Sequence, residues 1–229
     1  KEVEDVVEKL RELIDRALDR NRKVVEEVRD VVRRALEENR KVVEEVRKVI
    51  KEILDRVDDE TVRTVVELLE RLLDEHLRIV EEIVRLLTDL LRRHLRVVED
   101  IVRLLRELLK ILTELRRREE LEKIARRLLE TIDRLIRTLE RLYDEAREEI
   151  EKLIRELERL YREVDKRIKE AGLPKEATDL IRELIERLRK VLEKSRRLID
   201  RLVKLSRDVL EETKRLVEEL IREVKRAET

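Results

Sequence analysis

A spacing of eighteen residues runs through this chain and limits what it can fold into more than any other feature. Asn21 recurs as Asn39, His76 as His94 and Tyr143 as Tyr161, and Ser195 returns conservatively as Thr213. The surrounding sequence repeats with them: LLDEHLRIVEEIVRLL at 72–87 comes back as LLRRHLRVVEDIVRLL at 90–105. Eighteen residues make five turns at about 3.6 residues per turn, so both members of a pair share one face of a straight helix, about 27 Å apart. A strict heptad would impose a left-handed supercoil, whereas this period imposes none. The pattern predicts untwisted helices crossed by two similar polar layers.

Apolar residues recur at helical spacing in four blocks, predicting helices over about 2–56, 60–115, 120–170 and 175–227. Asp58-Asp59 marks the first break, since either carboxylate can accept a bond from the unpaired N–H groups that open the next helix. Ala171-Gly172-Leu173-Pro174 marks the third: Gly supplies a left-handed C-terminal residue and Pro pre-sets the following first turn. The second break, near 116–119, has no Gly, Pro or small polar cap. Phase places it there. At about 100° per residue the apolar stripe of the second helix centres on His76, and Leu121, Leu128 and Ile132 would fall near the opposite side of one continuous helix. A reversal puts both stripes on one core. Short turns make neighbouring helices antiparallel, so the fold expected is all-α, an antiparallel up-down-up-down four-helix bundle of long, nearly straight helices. Each would be about 75–85 Å long, and residues 1–229 would form a single elongated domain.

Charged residues make up 52% of the chain and apolar ones 41%, with one Gly, one Pro, two Tyr and no Phe, Trp, Met or Cys. Disorder is excluded because Leu, Ile and Val keep recurring at core spacing. The formal net charge is +0, which offers neither a basic surface to nucleic acid nor an acidic one to a basic partner. No uncharged stretch is longer than the four residues Ala171–Pro174, so no membrane span or secretory signal is expected. Without cysteine there are no disulfides, and the redox compartment is not legible. The absence of Met, position 1 included, reads as a processed or trimmed chain. No natural localisation is expected, only recombinant expression in a cytoplasm.

Counting outward from the turns brings the repeated polar residues to common levels. Asn39 and His76 are about equally far from the first turn, as are Asn21 and His94. His94 and His76 likewise match Tyr143 and Tyr161 about the second turn. The layers expected are Asn39–His76–Tyr161–Ser195 and Asn21–His94–Tyr143–Thr213. Their donors and acceptors are complementary, which is what buried polar groups require. A structural network is the plain reading. A hydrolase would need Ser195 beside His76 and a carboxylate orienting the imidazole, but Asp74, Glu75, Glu81, Glu82, Glu99 and Asp100 all lie off the core stripe. A metal site would need several ligands per layer, and Leu73 and Leu91 stand where a di-iron bundle places glutamates. Haem on a single His would require an opened core. No catalytic residue, metal or cofactor is therefore expected. Ser206 also faces inward, where its repeat mates are Leu188 and Val224, and reads as an extra network member or as bonded to its own helix. Ala17, Ala35 and Ala146 make room where larger side chains would clash.

Repeats of eighteen, the AGLP turn and the eight network positions, with Leu/Ile/Val/Ala cores and Glu/Lys/Arg surfaces, give the whole chain a resemblance to de novo designed straight helical bundles with buried hydrogen-bond networks. That resemblance implies a scaffold or assembly component with no natural substrate. One feature of the second helix leaves room for a partner. Its apolar arc covers about 180°, taking in Leu77, Ile79, Val84, Leu86, Leu95, Val97, Val102 and Leu104, where an ordinary stripe is a little over 100° wide. Either this helix is the most buried of the four, or its flank meets another copy or another designed helical chain. A binder of a core ligand or cofactor is the third alternative.

Overall fold

A computed structural model describes the backbone of residues 2–56, 58–114 and 118–227. It also describes their side chains other than those of 2–4, 6, 112, 118, 119, 121, 122, 220, 221, 223–225 and 227. Four helices account for nearly all of it: α1 (Glu2–Arg56), α2 (Glu60–Glu114), α3 (Arg118–Glu170) and α4 (Lys175–Ala227). They form an all-α, antiparallel four-helix bundle. The break near 116–119 lies largely outside the described residues, and α3 already includes Arg118 and Glu119.

The two well-signalled turns show why the helices stop. Asp59 is the cap of α2: its Oδ1 accepts the Thr61 N–H at 3.0 Å, and its carbonyl accepts the Arg63 N–H at 3.1 Å. Asp58 pairs with the Arg63 side chain at 3.2 Å and leaves the capping to its neighbour. At the other turn the Ala171 N–H still bonds the Arg167 carbonyl, and Gly172 then turns the chain with φ +59. An L side chain is strained in that left-handed region, and glycine is not. The Pro174 carbonyl accepts the Thr178 N–H at 3.0 Å, closing the first bond of α4.

The chain divides into two compact units, each taking one segment from every helix. The first comprises Lys1–Arg29, Asp89–Glu145 and Arg201–Thr229, and the second Asp30–Thr88 and Ala146–Asp200. In the second unit Val46 and Ile50 of α1, Val66 and Leu69 of α2, Leu157 of α3, and Ile181 and Leu188 of α4 are buried. The first is built the same way around Ile14, Val98, Ile101, Ile132, Leu139 and Val209. Ion pairs record the helix directions within each unit. In the second, Arg40 meets Glu81 and Arg47 meets Asp74, so seven residues up α1 match seven residues down α2. Glu38–Lys194 and Glu45–Arg187 show the same opposition between α1 and α4, and Asp165–Arg189 and Glu158–Arg196 between α3 and α4. In the first unit Asp15–Arg106 and Arg22–Glu99 repeat it for α1 and α2. These pairs are mostly exposed and worth about 0–1 kcal/mol each, so the apolar core holds the helices together.

α2 supplies more buried residues than any other helix. Ile79, expected on its outer flank, is fully buried by this chain's own helices, and Val102 is buried with it. The reason is angular. Ile79 lies three residues beyond His76, about 60° away around the helix, which keeps it on the core face. Leu77, Val84, Leu86, Leu95, Val97 and Leu104 are half-buried.

Candidate functional site

Each unit contains one chain of hydrogen bonds drawn from all four helices. In the second unit His76 of α2 bonds Tyr161 of α3 through Nδ1 at 2.6 Å and Asn39 of α1 through Nε2 at 3.0 Å. The Asn39 amide nitrogen donates to Ser195 of α4 at 2.9 Å and to the Ala35 carbonyl at 2.7 Å. The Ser195 hydroxyl in turn donates to the Val191 carbonyl at 2.9 Å. In the first unit His94 bonds Tyr143 at 2.7 Å and Asn21 at 2.9 Å. Asn21 then donates to Thr213 at 3.1 Å and to the Ala17 carbonyl at 2.7 Å, and Thr213 to the Val209 carbonyl at 2.9 Å. Asn21, Asn39, His76, His94, Tyr143, Tyr161 and Thr213 are all buried, and Ser195 is half-buried.

Every proton in these chains has one consistent position. A backbone carbonyl only accepts, so the Asn group beside Ala35 or Ala17 is the NH₂ and the amide oxygen faces the histidine. That oxygen only accepts, so the imidazole N–H is on Nε2. Nδ1 is then bare and accepts the tyrosine O–H. The direction runs tyrosine to histidine to asparagine to hydroxyl to backbone carbonyl, and it ends on a group that donates nothing further. Among the described residues no buried side-chain nitrogen or oxygen lacks a partner. A buried group left unpaired costs about 1–3 kcal/mol, so this completeness decides whether such a layer is tolerable.

Four backbone acceptors escaped the sequence reading. The carbonyls of Ala17, Ala35, Val191 and Val209 close the chains, and their spacing of eighteen residues was the available signal. Ser206, with two readings open from sequence, is buried and hydrogen-bonds the Tyr143 phenol. The equivalent place in the other unit is held by buried Leu188, so the layers are not identical. Arg189 lies over the Tyr161 ring, 5.8 Å from its centre.

Burial sets the protonation of the site. It lowers the pKa of both His76 and His94 to about 4, so the imidazoles are neutral at pH 7. Burial also pushes both phenols well above their usual range; the Ser206 bond opposes this at Tyr143, and the Arg189 charge opposes it at Tyr161. The geometry does not assemble a nucleophile. Ser195 bonds Asn39 and its own helix, with no bond to His76, and Glu75 beside that histidine is engaged by Arg78, which lowers its pKa. Among the described residues no group of three or more His, Cys, Asp or Glu could hold a metal ion, and no helix is long and apolar enough to cross a membrane.

Fold and site together define a four-helix bundle crossed by buried polar layers. No protein-family model matches the sequence, and the search of curated proteins found no match. A solved structure described as "Computationally designed three helix bundle" is 18% identical over 97% of this chain and 93% of its own, with a TM-score of 0.26. The two superpose too poorly for that likeness to bear on function.

Proposed function

We propose that the chain is a designed structural scaffold without enzymatic activity, in which two Asn–His–Tyr–Ser/Thr layers specify how four helices pack. One observation carries this reading: each layer draws one polar side chain from every helix, satisfies all of them, and ends on backbone carbonyls. A sliding or rotated helix would bury unpaired polar groups, whereas an all-aliphatic core penalises such shifts far less. The scaffold needs no cofactor, nucleic acid, membrane or small-molecule substrate. We also propose one domain over 1–229, since neither compact unit is a continuous stretch of chain. The test is a variant with both layers replaced by fitted apolar residues. It should remain folded and at least as stable, but give broadened or multiple amide resonances, or a mixture of masses. A variant as sharply dispersed and monodisperse as the parent would remove the specifying role.

A second reading is an oligomerisation or partner-binding module that uses Leu77, Leu86, Leu95, Val97 and Leu104, which keep part of their surface. The burial of Ile79 narrows that flank. A light-scattering mass of one chain at the highest soluble concentration would eliminate self-association.

A further inference from the structure

The tyrosine–histidine pairs have an arrangement that bears on chemistry as well as on packing. In each, a phenol O–H points at a bare imidazole nitrogen, at 2.6 Å in one unit and 2.7 Å in the other, with both rings out of water. The rings meet edge to face, at interplanar angles of 84° and 89°. The chain has two tyrosines and no Trp, Cys or Met, so the phenols are the only side chains that readily yield an electron to an outer-sphere oxidant. We propose that each pair, Tyr161–His76 and Tyr143–His94, is a proton-coupled redox site that holds a neutral phenoxyl radical after one-electron oxidation.

The step balances within the pair and one named co-reactant. An outer-sphere oxidant such as a ruthenium(III) polypyridyl takes one electron from the phenol and becomes ruthenium(II). The phenolic O–H bond breaks, and its proton forms a new N–H bond at Nδ1. The oxidised phenol is a very strong acid, so a weakly basic imidazole suffices to take the proton. The imidazolium keeps both its hydrogen bonds: the new Nδ1–H donates to the phenoxyl oxygen, and Nε2–H continues to donate to Asn39 or Asn21. Re-reduction returns electron and proton to the same oxygen. At neutral pH the pair starts in the required state, phenol protonated and imidazole bare, because burial favours the neutral form of both groups. Burial also keeps two radicals on different molecules from coupling. Tyr161 additionally lines a groove of about 450 Å³ with Arg189 and Glu158.

The experiment is flash-quench oxidation of the full chain with a ruthenium polypyridyl, read by transient absorption and electron paramagnetic resonance. Single-tyrosine chains (Tyr143→Phe and Tyr161→Phe) isolate each site, and the double variant is the blank. Phenoxyl should form in both single-tyrosine chains and be absent from the blank. Its rate of formation should be lower in D₂O and independent of buffer concentration and of pH between about 6 and 8, where neither group titrates. Replacing the partnered histidine with Gln, which can still accept the phenol's bond but is hardly a base, should slow oxidation by about a hundredfold or more. An unchanged rate in a folded His→Gln chain would overturn the proposal. So would a parent rate that rises with buffer base, because water or buffer would then be taking the proton. The D₂O and buffer measurements on the parent decide the matter even if the Gln chains fail to fold.

Discussion

Acidification from pH 7 to pH 4 should weaken this protein by a histidine-dependent amount that can be worked out from the structure. His76 and His94 have a folded-state pKa of about 4, lowered by burial, against about 6.5 for an exposed imidazole. Their bonded partners are the neutral Asn39 and Tyr161 in one case and Asn21 and Tyr143 in the other, so no carboxylate compensates a charged ring. Above about pH 6.5 both forms are uncharged and stability is flat. Below it the unfolded chain binds protons that the folded chain refuses, and each histidine loses about 1.4 kcal/mol per pH unit. By pH 4 the loss is about 3 kcal/mol for one histidine and about twice that for both, after which the effect levels off. A chain of this length is expected to have of the order of 10–30 kcal/mol of stability, so it should stay folded with a lowered denaturant midpoint. The assay is the guanidinium midpoint by circular dichroism at intervals from pH 7.5 to pH 4, for the parent and for a His76→Gln, His94→Gln chain. Surface carboxylates titrate in both, and the difference belongs to the histidines. Identical pH curves would refute the reasoning, showing that the imidazoles are hydrated or paired with an acid.

Four further outcomes follow from individual contacts. His76→Leu should cost about 1–3 kcal/mol in a urea titration, since the Asn39 oxygen and the Tyr161 hydroxyl both lose their partner. Ser206→Ala should cost no more than about 1 kcal/mol, because Tyr143 keeps its bond to His94, whereas Tyr143→Phe strands His94 Nδ1 and should cost about 1–3 kcal/mol. Gly172→Ala should cost about 1–2 kcal/mol by thermal unfolding, entirely from backbone strain at φ +59, because a Cβ there meets nothing within 4 Å.

How much was legible in the sequence follows from the range of each interaction. Helix ends at Asp59 and Gly172 depend on bonds within a few residues, so their chemistry was readable directly. The phase of the polar positions was readable too, because Asn21, His76 and Tyr143 share the apolar stripe of their own helices at a spacing of eighteen. Periodicity, however, gives each residue an angle about its own axis and says nothing about how far a neighbouring helix is turned or shifted against it. That setting was decided by the packing of the whole core. It alone fixes which Asn atom faces the imidazole, that Nε2 carries the proton, and that Ser206 reaches Tyr143 where Leu188 has no such reach. Ile79 on α2 lay within reach of the sequence, because its angle of about 60° from His76 already places it on the core face that the neighbouring helices bury. Local chemistry and period determined the elements and their inward faces. Tertiary structure decided which atoms pair within each layer, because a hydrogen bond depends on a few tenths of an ångström between atoms that no single helix positions.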